Sequence, residues 1–335
     1  MNPNLPISVS KWLQENQTFF KPPVCNKLIY NDQLKVFYVG GPNQRTDYHV
    51  ELGEEFFYML KGDMQLNVIE RGQPKSIIIR EGEAFLLPAR IPHSPQRFPN
   101  TIGILSLSFI DQSIYCLSIR SYLGLVIERD RSPNELDALR YYVSDEQRDH
   151  NNCSTIDRNC ILFERWLHCT DLGTQLAPIM KQFFDSDLFK TGIPSNDSCL
   201  IEAPYADDVT TVTMAPINLS KWLKCAVEEI ESVGWKALFD DDDDDRRQQW
   251  TTSSCYRYKT KVKIFGGDFK HRFEPDPHGE TYFWQLAIKS QLEIDNTLMM
   301  LENGHSVIAP PNSKICLKTQ SGGFTLVVSM SHSGQ

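Results

Sequence analysis

The sequence predicts a mainly β chain built from two antiparallel β-sandwich or barrel domains with a few flanking helices. Three observations carry this prediction. Short β-type segments recur between Gly- and Pro-bearing turns from residue 35 to residue 87. Segments of the same kind return after residue 282. Finally, Ser10-Lys11-Trp12-Leu13 reappears as Ser220-Lys221-Trp222-Leu223, each copy ahead of a β-rich region, as a duplicated unit would have it.

Taken in order, Ser10 and Ser220 each read as the N-cap of a short helix, where a hydroxyl accepts from the free amides of the first turn. Residues 35–39 are rich in Val, Phe and Tyr and stop at Gly40-Gly41-Pro42. Strands follow at 47–51, 55–60 and 64–70, the last two joined by a turn at Lys61-Gly62-Asp63. Arg71-Gly72-Gln73-Pro74 breaks the chain before strands at 76–80 and 84–87, which Glu81-Gly82-Glu83 parts. The period then changes: 178–184 carries apolar residues at helical spacing, with Pro178 suited to a first turn. Residues 192–208 are rich in Pro, Ser, Asn and Asp and read as a linker. Strand-like segments at 282–287, 298–302, 306–309 and 323–330 complete the second unit. The expected organisation is a first domain over 1–194, a linker over 195–212 and a second domain over 213–335.

Composition narrows the function. A chain of 335 residues suits about two domains, and 41% hydrophobic residues exclude wholesale disorder. The formal charge of −9 disfavours a nucleic-acid binder or a protein held to anionic lipid. No stretch approaches the roughly 20 apolar residues of a membrane-spanning helix, so no membrane partner is expected. Met1-Asn2-Pro3-Asn4 has neither the basic nor the apolar region of a secretory leader. Nine cysteines, none in a Cys-x-x-Cys pair, favour reduced thiols in the cytosol over a disulfide frame. The run Asp240 to Asp245 reads as a solvated, self-repelling loop.

Chemistry concentrates between Arg45 and Arg97. Alternation along a strand puts Arg45, Asp47, His49 and Glu51 on one face, with Glu55 joining them if Gly53 turns the strand without changing its phase. His93 and Arg97 lie four apart in a proline-rich stretch. Two imidazoles and one carboxylate converging inside a barrel would hold a divalent metal and leave positions open for substrate and O₂. The competing reading leaves the two histidines unrelated, each satisfied locally. His49-x-Glu51-x₃-Glu55-x₆-Gly62 resembles the first cupin motif, with Glu51 where a second histidine usually stands. Gly82-x₅-Pro88-x₄-His93 resembles the second. The expected architecture is then two cupin, or double-stranded β-helix, domains.

A longer match is more specific. Gly40-Gly41-Pro42-Asn43, Arg45, Asp47-Tyr48-His49 and Gly53-Glu54-Glu55 are followed by Phe85-Leu86-Leu87-Pro88-Ala89-Arg90 and Pro92-His93-Ser94-Pro95-Gln96-Arg97. These segments, with Arg140-Tyr141-Tyr142-Val143 and 171–178, resemble the 3-hydroxyanthranilate 3,4-dioxygenase family in its animal-type, two-cupin form. The resemblance implies Fe(II) held by His49, Glu55 and His93, with Glu54 the rival of Glu55. It implies that Arg45 meets dioxygen, Arg97 the substrate carboxylate, and Glu128 the amino or hydroxyl edge of the substrate. The implied substrates are 3-hydroxyanthranilate and O₂, and the product, 2-amino-3-carboxymuconate 6-semialdehyde, cyclises to quinolinate on the way to NAD. A monomer is implied, without the cysteine-ligated second iron site of bacterial relatives. The rivals are another metal-dependent cupin, such as an isomerase or thiol dioxygenase, and a non-catalytic ligand-binding cupin.

Two extra segments depart from the family pattern, about 104–123 and 146–160, the second expected as a mobile surface loop. Glu128 follows the first of them, and Leu107 is the rival occupant of its place. The second domain is expected to have lost its metal centre, with His271 and His278 in loops.

Overall fold

Strand β5 (Glu55–Lys61) is buried on both faces, which a single solvated sheet would not require. Its odd-numbered residues Phe57 and Met59 join the interior of the first barrel. Phe56, Tyr58 and Leu60 alternate with them and pack against the second barrel, in a core that also holds Tyr282 and Trp284. The computed structural model describes residues 5–21, 25–98, 122–150, 155–239 and 259–330. Both the Asp240 to Asp245 run and nearly all of the 104–123 segment lie outside them.

The first barrel has two sheets. One contains β2 (Asn26–Asn31), β3 (Leu34–Val39), β5, β8 (Glu83–Leu87) and β10 (Leu123–Arg129), in the order β8-β5-β10-β3-β2. The other contains β4 (Tyr48–Val50), β6 (Met64–Glu70), β7 (Gln73–Ile79), β9 (His93–Gln96), β11 (Asp137–Tyr142) and β12 (Ile161–Leu167), in the order β12-β11-β4-β9-β6-β7. The break expected at Gln73-Pro74 is absent. Arg71 and Gly72, both at positive φ, make the whole turn, and Pro74 is tolerated because β7 is an edge strand.

The second barrel repeats the plan. β14 (Trp235–Ala237), β15 (Lys261–Phe265), β17 (Thr281–Ala287), β20 (His305–Ala309) and β22 (Phe324–Ser329) run β20-β17-β22-β15-β14. The facing sheet is β16-β21-β18-β19, from β16 (Lys270–Phe273), β18 (Lys289–Ile294), β19 (Thr297–Glu302) and β21 (Ile315–Lys318). His271 therefore sits on a strand rather than in a loop.

The repeated tetrapeptides exchange arms between the barrels. β1 (Ile7–Ser8) pairs with β20 of the second barrel, and β13 (Ile217–Asn218) pairs with β8 of the first. Each arm leads into its helix, α1 (Val9–Glu15) and α5 (Leu219–Val233). Ser10 and Ser220 are consequently the second helical residues and not caps. The cap positions are Ser8 and Asn218, and Asn218 Oδ1 accepts from the Lys221 amide at 3.0 Å.

Around the first barrel, α3 (Leu172–Asp185) begins well before Pro178, so that proline lies inside the helix. Phe183 stacks on Tyr141 at 3.7 Å and docks α3 on the outer sheet. The 146–160 segment is partly built into the fold: α2 (Asp145–His150) opens it, and Ile156 and Cys160 are buried. The supposed linker is a strap along the first barrel. Its Tyr205 hydroxyl donates to the carbonyls of Val50 and Leu136 (3.1 and 3.0 Å), and Asp207 pairs with buried Arg140. No helix of the described residues is long and apolar enough to cross a membrane.

Candidate metal centre

Antiparallel pairing of β4 with β9 places His49 directly opposite His93, their rings edge to face with centroids 5.2 Å apart. β5 supplies Glu55 from the adjoining sheet. His49, Glu51, Glu55 and His93 are all buried, and one ligand atom from each lies within 4.8 Å of the others. Glu54, on the opposite face of the chain, is taken by the amides of Lys259 and Thr260 (3.0 and 2.7 Å). The structure thus brings Glu55, not its neighbour, to the two histidines.

Each imidazole has one nitrogen committed. His49 Nε2 bonds Asp137 Oδ2 at 2.9 Å, leaving Nδ1 toward Glu55; His93 Nδ1 bonds the Ile91 carbonyl at 3.0 Å, leaving Nε2. Such outer bonds fix tautomer and ring plane, as metal ligands require. Burial disfavours a charged His49, but its bonds to Asp137 and Glu55 outweigh this and push it up to about 9. Burial likewise opposes ionisation of Glu55, and the attraction of His93 together with bonds from Glu51 and both histidines holds its carboxyl below the usual range.

One guanidinium organises the acids behind the cluster. Arg131 reaches Glu51 at 2.7 Å, Glu128 at 2.8 Å and Asp137 at 2.9 Å. Four buried carboxylates, Glu51, Glu55, Glu128 and Asp137, therefore face this one arginine and two imidazoles. Glu51 meets Glu55 as well as this arginine, and neither of its oxygens is otherwise bonded among the described residues. Burial and the crowding of like charges push the Glu51 and Glu128 carboxyls up, and a divalent cation held by these imidazole and carboxylate donors, with no thiolate in the set, would offset that repulsion.

The centre opens into a cavity of about 260 Å³ lined by Arg45, His49, Glu55, His93 and Arg97 at its polar end. Phe37, Phe57, Val126, Leu176 and Met180 form the apolar wall, the last two from α3. A reciprocal backbone bridge between Asn43 and Arg97 (2.8 and 2.9 Å) brings both arginines to this rim. The Arg45 backbone is clamped by the Gln96 side chain, and its guanidinium is held by Asp47. Arg97 differs. Its Nη1 donates to the Gly40 carbonyl at 2.7 Å, its buried Nε has no partner, and among the described residues no carboxylate pairs with it. Burial and the nearby Arg45 hold its pKa below the ordinary value.

Glu128 stands two residues beyond Val126 on β10, on the same face, but lines a smaller adjoining cavity of about 60 Å³ with Arg131 and Cys169. Asn26 and Phe37 border both cavities.

Sequence reasoning missed Asp137 and Arg131. Asp137 lies two residues before Leu139, the cross-strand partner of His49, so its carboxylate reaches the same ring diagonally. The available signal was an acid at the head of a strand whose only other charged residue is Arg140.

Pairing register also locates the corresponding positions of the second barrel. Glu55 opposes Leu87 as Thr281 opposes Ala309; His49 opposes His93 as Phe273 opposes Ile315. Phe273, Thr281 and Ile315 therefore stand where the first barrel has two imidazoles and a carboxylate.

The fold resembles that of salicylate 1,2-dioxygenase from Pseudaminobacter salicylatoxidans, with a TM-score of 0.51 at 10% identity, covering 99% of this chain and 85% of that one. At the sequence level, the family model for 3-hydroxyanthranilic acid dioxygenase matches residues 1–108 and 117–184, its gap falling inside the first extra segment. The 3-hydroxyanthranilate 3,4-dioxygenase of Rattus norvegicus is 39% identical over 323 residues, covering 96% of this chain and 95% of the relative. Those of Nematostella vectensis and Homo sapiens are 38% and 37% identical over 322 residues, covering 96% of this chain and 97% and 95% of the relatives. Likeness at this level along nearly the full length, in a cupin-like double barrel, establishes that the chain belongs to the 3-hydroxyanthranilic acid dioxygenase family.

Proposed function

We propose that this chain opens the ring of 3-hydroxyanthranilate with O₂, giving 2-amino-3-carboxymuconate 6-semialdehyde, with Fe(II) held by His49, Glu55 and His93. The observation that carries the reading is Arg97, a buried cation with no acidic partner among the described residues, at the rim of a two-histidine, carboxylate cluster. A carboxylated aromatic of this size supplies what that guanidinium lacks.

When bound, Fe(II) supplies coordination positions for a chelating phenol and amine and for O₂, and lowers the phenol pKa. The protein does the rest by placement. Arg97 fixes the carboxylate through its planar fork and so sets the orientation of the ring. Phe37, Phe57 and Val126 exclude water from the ring faces. Arg45, steadied by Asp47, favours negative charge developing on oxygen. Glu128 would receive the amino edge of a ring reaching past Val126. Asp137 and the Ile91 carbonyl keep both imidazoles aimed.

In this reading residues 1–194 form the catalytic domain and 213–335 a domain without a metal. The phenyl, hydroxyl and sec-butyl side chains at Phe273, Thr281 and Ile315 support that division. Among the described residues Cys25, Cys169, Cys199, Cys225 and Cys316 form no disulfide, which suits the reducing cytosol.

Stripping the protein with a chelator and adding back Fe(II) anaerobically tests the proposal. Ring opening, followed by product absorbance, should vanish and return with about one equivalent of iron. Activity that survives complete removal refutes the metal's role.

A further inference from the structure

We propose that Arg131 holds Glu51 away from the metal and thereby keeps a coordination position free for substrate. The inference rests on the metal-site reading above and concerns a residue that reading leaves without a role. Glu51 lies close enough to His49, Glu55 and His93 to be a fourth ligand, and it occupies the place of the second histidine in the His-x-His pattern. Three protein ligands leave three octahedral positions, enough for a two-point chelate and O₂; a fourth would leave two.

The restraint has two parts. Arg131 is buried, and its fork is immobilised by Asp137, by Glu128 and by the Arg129 carbonyl (Nη1 at 3.1 Å). From this fixed frame Nη2 meets Glu51 Oε2 at 2.7 Å. The carboxylate also passes Gly53, where a Cβ would stand 2.8 Å from the same Oε2. Glycine there leaves the space in which Glu51 lies back against Arg131. Asp137, which Arg131 also holds, bonds His49, so one cation aims a ligand and withholds a competitor.

The test uses the full chain, stripped and reloaded anaerobically, with Fe(II) affinity read by competition against a chromophoric chelator. Binding of 3-hydroxyanthranilate and the nitric oxide adduct's EPR signal are recorded without turnover. Glu51→Gln should bind Fe(II) within about threefold of the native chain, because a withheld carboxylate contributes little. Arg131→Met should bind Fe(II) about 10-fold more tightly, the gain of a ligand outweighing the looser hold on Asp137. It should bind substrate at least 10-fold more weakly and shift the EPR signal of the nitrosyl adduct. Adding Glu51→Gln to it should reverse all three effects. If Arg131→Met does not fold, Gly53→Ala displaces Glu51 Oε2 from its place against Arg131 while sparing the other two ion pairs, and should act in the same direction. A loss of 10-fold or more in Fe(II) affinity from Glu51→Gln alone overturns the proposal, since Glu51 would already be a ligand. So does an Arg131→Met effect that persists unchanged without Glu51, or an inert Gly53→Ala. A native chain that takes up no Fe(II) overturns the metal-site reading itself and the proposal with it.

Discussion

Replacing Arg97 by alanine removes a cation at the cavity rim that no carboxylate among the described residues offsets. A hydrogen bond to a charged group contributes about 1.5–3 kcal/mol, and a carboxylate gripped by both arms of the fork has two. Some of that gain is already spent on the native contact to the Gly40 carbonyl at 2.7 Å, which a substrate must share. A net loss of about 3–4 kcal/mol is therefore expected, or a KM raised roughly 100- to 1,000-fold at about 1.4 kcal/mol per decade. Steady-state kinetics with iron-saturated protein measure it, and kcat should fall far less than kcat/KM. Arg97→Lys should recover part of the loss, because the charge returns without the fork. A substrate analogue lacking the carboxylate, 2-aminophenol, supplies the control: native and variant proteins should handle it nearly alike. An unchanged KM for 3-hydroxyanthranilate, or an equal penalty on the analogue, refutes the assigned contact.

Asp137→Asn removes the charge behind His49 Nε2 and should weaken Fe(II) binding about 10- to 100-fold, read by chelator competition; unaltered affinity would show that the imidazole needs no such support. Burial pushes the Glu70 carboxyl up, but bonds from Lys75 at 2.9 Å and from the Thr213 amide at 2.6 Å hold it below the usual range. Its stabilisation is then present above the unfolded carboxyl pKa of about 4.3 and is lost as pH falls through the lower native value. Glu70→Gln should accordingly melt below the native protein at pH 7 and converge with it in acid; a gap constant across pH argues against the linkage. Phe183→Ala, which empties the stack on Tyr141, should cost about 3–5 kcal/mol of stability and raise KM, because α3 carries part of the cavity wall. A native melting temperature would show that α3 is held by something else.

Much of the site was legible because its determinants are local. Turn residues and two-residue alternation mark β5, β6 and β8 within a residue or so, and alternation alone sets Glu55 and Glu54 on opposite faces. The motif spacing paired His49 with His93. Legibility failed where contacts join distant segments. Ser10 and Ser220 looked like caps because nothing near them reveals that β1 and β13 pair across barrels, starting each helix two residues early. Pro74 looked like a break because edge position is a property of a sheet and not of a tetrapeptide.

By itself, then, the sequence determined the β character, the duplicated plan, the donor types and the family. Tertiary structure alone decided which acids those donors meet. Asp137 reaches His49 across 88 residues, and Glu54 is captured by amides more than 200 residues away. Arg131 gathers three carboxylates whose separations in the chain carry no period. Strand alternation follows from backbone geometry and is written in neighbouring residues. Charge compensation in a buried site depends on which strands the closed barrel sets side by side, and that is fixed only when the whole chain has packed.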